Sequence, residues 1–179
     1  MTRLSQTRPA PSARRDPDPA RDDRRPAWVS HVFNPVSIAL LIGTAVVAAL
    51  GAFGVPGLHG WQPAVRGGVT LMFLIAASGR LGPQRAGLIA MVPPRLPRPD
   101  LIVAATGVLE VAGAIGLWVP PFERTAAVCL ALLLIAVFPA NVRAARAGIR
   151  IGDRPATPLV PRTIEQVVYV ACCLAVAFG

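Results

Sequence analysis

The chain has 179 residues, 54% of them hydrophobic and only 6% aromatic, with a formal net charge of +9. All eighteen basic residues are Arg, spread over loops and a tail without an aromatic stacking platform or a nucleic-acid motif, so the charge does not signal nucleic-acid binding. The apolar residues instead come in long blocks with the charges between them, which excludes an ordinary soluble domain and indicates an integral membrane protein.

Residues 1–33 open with "MTRLSQTRPAPSARRDPDPARDDRRPAWVS", a mixture of Pro, Arg and Asp without apolar periodicity. Such a segment buries too little surface to offset its ordering entropy, so a disordered cytoplasmic tail is expected. Asp16, Asp18, Asp22 and Asp23 dilute any attraction of its arginines to anionic headgroups. Arg24–Arg25 lacks the residues that follow a twin-arginine pair, and a retained signal-anchor helix is the preferred reading of what comes next.

Five apolar blocks follow: Val36–Val55, Gly67–Gly79, Leu101–Val119, Thr125–Val142 and Thr163–Phe178. A helix rises about 1.5 Å per residue, so roughly 20 apolar residues cross a hydrocarbon core. The second and fifth blocks are short by that measure, and the arginines support them. Seven lie before Val36, Arg66 alone in the first loop, and Arg80, Arg85, Arg95 and Arg98 in the second. Arg124 is alone in the third, and Arg143, Arg146, Arg150, Arg154 and Arg162 fill the fourth. With five spans, sixteen arginines fall on one side and two on the other, placing the N-terminus in the cytoplasm and Gly179 outside. The expected fold is therefore an all-α, polytopic bundle of five transmembrane helices, one over residues 34–56 and four within a domain over 64–179.

In the second connection, "GLIAMVPPRLPRPD", the prolines 93, 94, 97 and 99 forbid a continuing helix. It reads as a stiff cytoplasmic connector with an interfacial stub over Ala86–Val92, in preference to a re-entrant lid, since non-helical backbone at membrane depth needs protein or water around it. In the third block Glu110 stands at the midpoint of nineteen otherwise uncharged residues. Thr106, Gly107, Gly113 and Ala114 share its helical face, a small and mildly polar surface suited to close helix packing. A carboxylate there costs at least a few kcal/mol and calls for a partner, a cavity or a proton. Two readings stand side by side: a functional acid, or an acid that pins helices together.

Pro139 leaves a backbone carbonyl unpaired near the end of the fourth block, and Asn141 can satisfy it or bond to a neighbouring helix. Arg162, Glu165, Gln166 and Tyr169 form the polar face at the start of the fifth, with Glu165 in helical reach of Arg162 or Tyr169. Adjacent Cys172 and Cys173 project about 100° apart on a helix and are poorly placed to bridge. His31 and His59 are isolated, no metal-ligand spacing is present, and no cofactor motif is evident.

Residues 91–142, "MVPPRLPRPDLIVAATGVLEVAGAIGLWVPPFERTAAVCLALLLIAVFPANV", resemble the DoxX-like family of small bacterial membrane proteins. The likeness rests on the Val-Pro-Pro…Leu-Pro connector, the Thr-Gly-x-x-Glu of the third span, the Phe-Pro-Ala-Asn closing the fourth, and Arg162 with Gln166. It extends over roughly residues 67–178, making Val36–Val55 an addition to a four-helix core. The His-Phe pair common after the first core helix is absent; "ASGRLGPQRAG" stands there, with Arg80 or Arg85 as replacements for its polarity. The resemblance implies the bacterial inner (plasma) membrane and an accessory role in quinone-linked redox metabolism, with quinone as a ligand and a membrane redox complex or a second copy as partner. A small-solute or lipid carrier and a structural scaffold are the alternatives. The expected intramembrane polar site comprises Glu110, Thr106, Asn141 and Gln166, with Arg80, Arg85 and Arg95 as loop candidates.

Overall fold

The computed structural model describes residues 34–151 and 154–179, so the tail expected to be disordered lies outside the described residues. The elements run α1 Pro35–Ala52, α2 Trp61–Ser78, α3 Arg85–Met91, α4 Pro99–Gly116, α5 Glu123–Ala147, β1 Arg150–Ile151, β2 Arg154–Pro155 and α6 Leu159–Phe178. The two short strands pair antiparallel, Arg150 opposite Pro155 and Ile151 opposite Arg154, and are a small departure from an all-helical chain.

Helix starts follow local chemistry. The Asn34 side chain accepts from the N–H groups of Val36 (2.8 Å) and Ser37 (2.9 Å), and Pro35 occupies the first helical position, where no N–H is needed. Pro99 likewise takes the first position of α4, although Arg98 before it supplies no side-chain cap. Helices α2, α5 and α6 outrun their apolar blocks: α2 starts at Trp61, α5 continues to Ala147 and α6 starts at Leu159. The apolar block measures suitability for hydrocarbon, whereas the backbone ladder continues through Arg and Gln, which are good helix formers. Gly148, at φ 61°, ends α5 in the left-handed conformation that glycine adopts most easily.

The five long helices alternate in direction, since Arg80 meets Glu110 while Thr70 meets Trp118, and Gly113 meets Leu130 while Gly116 meets Ala126. In the same way Asn141 meets Arg162 while Leu134 meets Gln166, and Leu40 meets Gly68 while Val47 meets Gly67. Helix α1 packs against α2, α2 also against α4 and α6, and α5 between α4 and α6. Helix α2 is therefore central, and its Val69, Met72 and Phe73 are fully buried. Its contact with α1 is backbone to backbone. A Cβ on Gly43 would stand 2.5 Å from the Gly67 carbonyl oxygen, and one on Gly68 would stand 2.6 Å from that of Leu40.

The distribution of polarity is that of a protein in lipid. Val108 is 68% exposed and Glu110, on the same helix, 5%. Leu41, Ile42, Leu132, Ile164 and Val167 likewise point outward, an apolar exterior too extensive for a water-soluble monomer. Helices α1, α4, α5 and α6 are long and apolar enough to cross a membrane. Helix α2, with Gln62 and Arg66 in its first half, is not among those four.

The second connection folds back onto the bundle. Glu110 lies about 16 Å along α4 from Pro99 at 1.5 Å per residue, and Arg80 meets it there. The segment after Arg80 thus accompanies the first turns of α4, with α3 packed on α4, α5 and β1. Met91 and Val92 are buried, and Arg143 of α5 donates to the carbonyls of Ala90 and Val92. The expected connector with its stub is thus a packed element, the stub being α3.

Candidate functional site

Arg80 leaves the turn after α2 and lays its stem across Gly107, where a Cβ would fall 2.7 Å from Arg80 Cδ. Its Nη1 donates to Glu110 Oε2 at 2.5 Å and its Nη2 to Oε1 at 2.7 Å, a two-pronged guanidinium–carboxylate pair. Arg80 Nη1 also donates to the Ala76 carbonyl (2.9 Å) and Nε to Thr106 Oγ1 (3.2 Å), while Thr106 Oγ1 donates to the Val103 carbonyl (3.0 Å). Every guanidinium nitrogen and both carboxylate oxygens therefore have partners. Burying two opposite charges is tolerable with geometry of this kind, because each replaces the water the other has lost. The inward face expected for Glu110 is present: Ala114 is buried beside it, and Gly113 admits Leu130 of α5.

Asn141 and Gln166 belong to a different set. Asn141 is buried and its Oδ1 accepts from Arg162 Nη2 at 3.1 Å, so it bonds to a neighbouring helix rather than to the backbone near Pro139. Arg162 Nη1 also reaches Glu165 Oε2 (3.3 Å), and Glu165 Oε1 accepts from Asn34 Nδ2 (2.7 Å). One turn deeper, Ser37 Oγ and Tyr169 Oη are 2.6 Å apart. Gln166 Nε2 donates to the Leu134 carbonyl at 2.6 Å, in the stretch of α5 that Pro139 disturbs. Together these bonds tie α1, α5 and α6. No hydrogen bond between described residues joins this set to the Arg80–Glu110 pair, so the four residues expected as one site form two.

Of the three loop arginines, Arg80 is the one at the acid. The side chains of Arg85 and Arg95 are exposed and carry no hydrogen bond or ion pair among the described residues. Sequence reasoning missed Asn34 and Ser37, which sit where tail gives way to helix; an Asn–Pro start followed by Ser on one face was the available signal. It also missed the opposite end of the bundle. There Arg66 pairs with Glu123 and stacks 5.4 Å from the Trp118 ring, whose Nε1 donates to Thr70 Oγ1 at 2.8 Å.

An apolar groove of about 420 Å³ lies between α5 and α6, lined by Phe138, Gln166, Val170 and Leu174 among others; Glu110 is not in its wall. Cys129, Cys172 and Cys173 are free. Among the described residues, no group of three or more His, Cys, Asp or Glu is arranged to hold a metal ion. Compared with known proteins, the chain matches one family, described as "Domain of unknown function (DUF8561)", over residues 71–177. No curated protein and no solved structure matches it.

Proposed function

The chain belongs to the DUF8561 family, whose description assigns no activity, and from its own geometry we propose a non-catalytic accessory protein of the bacterial inner membrane. In this reading α2 is a fifth crossing, with the N-terminus in the cytoplasm and Gly179 outside. The alternation of all five long helices supports this, as does the pairing of α2's one charge, Arg66, with Glu123. The DoxX-like resemblance supports placing the protein beside quinone-linked redox enzymes as a helper or scaffold, alone or as a homo-oligomer.

The observation that carries the non-catalytic reading is the occupancy of Glu110. An intramembrane acid that exchanges protons or contacts cargo faces a cavity, whereas Glu110 lies in the wall of neither groove and both its oxygens accept from Arg80. Glu110→Gln tests this directly in protein reconstituted into liposomes. Proton flux and binding of a short-chain quinone should match wild type, while the melting temperature in detergent falls. Loss of flux or of quinone binding in a folded variant would make Glu110 a working acid and sink the proposal.

A second reading, a carrier or binder of quinone or another isoprenoid or acyl lipid, draws on the α5–α6 groove. Its walls are apolar and its polar residues are Gln166 and Thr163, a combination suited to a long apolar tail with a small polar head. Ala171→Trp narrows that groove. If this reading is right, quinone binding falls; if the accessory reading stands alone, it does not change.

A further inference from the structure

We propose that the end of α5 near Gly148 carries a binding site for the phosphodiester headgroup of an anionic phospholipid, with the first part of an acyl chain in the adjoining groove. Pro139, Val142, Arg143, Arg146 and Ala147 line one face of α5 at helical spacing, and Pro93 of the folded-back connection forms the opposite wall. The groove between them has a volume of about 460 Å³ and is open to the surroundings.

Its chemistry is divided along its length. Toward the helix middle the walls are Pro139, Val142 and Pro93, without a charge; toward the helix end they are Arg143 and Arg146. Arg143 is steered into place by the carbonyls of Ala90 and Val92, both of which take hydrogen bonds from its Nη1, leaving Nη2 without a partner among the described residues. The Arg146 side chain is exposed and has no hydrogen bond or ion pair among the described residues. Among the described residues, Glu110, Glu123 and Glu165 are each paired with an arginine elsewhere, and no carboxylate, Asp100 included, lines the groove. Two cations at the end of a membrane-length helix, beside an apolar slot directed back along that helix, fit a charged headgroup with its chain attached. A free anion would use the cations and leave the slot empty, and a zwitterionic lipid would lose attraction through its own ammonium.

The site depends on α5 lying in a membrane, not on the accessory role or on which side the groove faces. Native mass spectrometry of detergent-solubilised protein exposed to equimolar phosphatidylglycerol and phosphatidylcholine reads it directly. Wild type should retain phosphatidylglycerol preferentially. Arg146→Gln should lower that retention about fivefold, the effect of one interfacial cation, and Arg146→Lys should largely preserve it. Val142→Trp fills the slot without removing a charge and should also lower retention, which separates a groove from a merely positive surface. Equal retention of the two lipids, no response to Arg146→Gln, or no response to Val142→Trp would overturn the proposal. So would displacement of the lipid by inorganic phosphate at millimolar concentration, which would mark a free-anion site. Glu110→Gln should retain phosphatidylglycerol like wild type, so failure here and failure of the accessory reading are told apart.

Discussion

At the residue scale, the pair Arg80–Glu110 illustrates how a buried charge is held. Removing one partner strands the other, whereas removing both returns the site to an apolar helix contact. Glu110→Leu should therefore destabilise the protein by about 3–5 kcal/mol, and Arg80→Met added to it should recover most of that loss, as measured by reversible unfolding in detergent micelles. Additive losses in the double variant would mean the two side chains act independently. Gln166→Leu removes a neutral bond to the Leu134 carbonyl and should cost only about 1 kcal/mol, a useful contrast on the same assay. The acid itself was legible in the sequence, as was the small-residue face around it. Its partner was not, because Arg80 and Arg85 are equivalent in a one-dimensional reading. What separates them is that Gly107 leaves room for the stem of Arg80, while Arg85, at the start of α3, is exposed.

At the element scale, the decisive contact is α1 on α2. Their backbones touch at Gly43, Gly67 and Gly68, so Gly68→Leu must push the helices apart. The expected loss is at least about 1–3 kcal/mol, with a lowered melting temperature, while Gly82→Ala, in open space, should leave it unchanged. A reading of residues 34–56 as an addition to a four-helix core describes the sequence resemblance; in the fold this helix is packed as closely as any other. The stub expected over Ala86–Val92 corresponds to α3, Arg85–Met91, because the prolines after it leave no way to continue. Its docking against α5 through Arg143 was invisible, since carbonyl acceptors on a loop have no side-chain signature.

At the scale of the whole molecule, the apolar exterior, with Glu110, Asn141 and Gln166 turned inward, defines the environment, and the arginines define the sidedness proposed for it. An alkaline phosphatase fused after Gly179 should be active, and one inserted at Ala156, between β2 and α6, should be inactive. The reverse pattern would invert the bundle, and activity at both positions would remove a crossing. What the sequence by itself determined is the class of environment, the long apolar helices and the inward face of α4. These follow from hydropathy and the 3.6-residue period, which are properties of neighbouring residues. Only the tertiary structure decided that Glu110 meets Arg80, and that Asn141 and Gln166 serve a separate tie among α1, α5 and α6. Which side chains meet depends on the level at which helices dock against one another. That level is set by the close approach of glycines and by the folded-back connection, contacts between residues far apart in the chain.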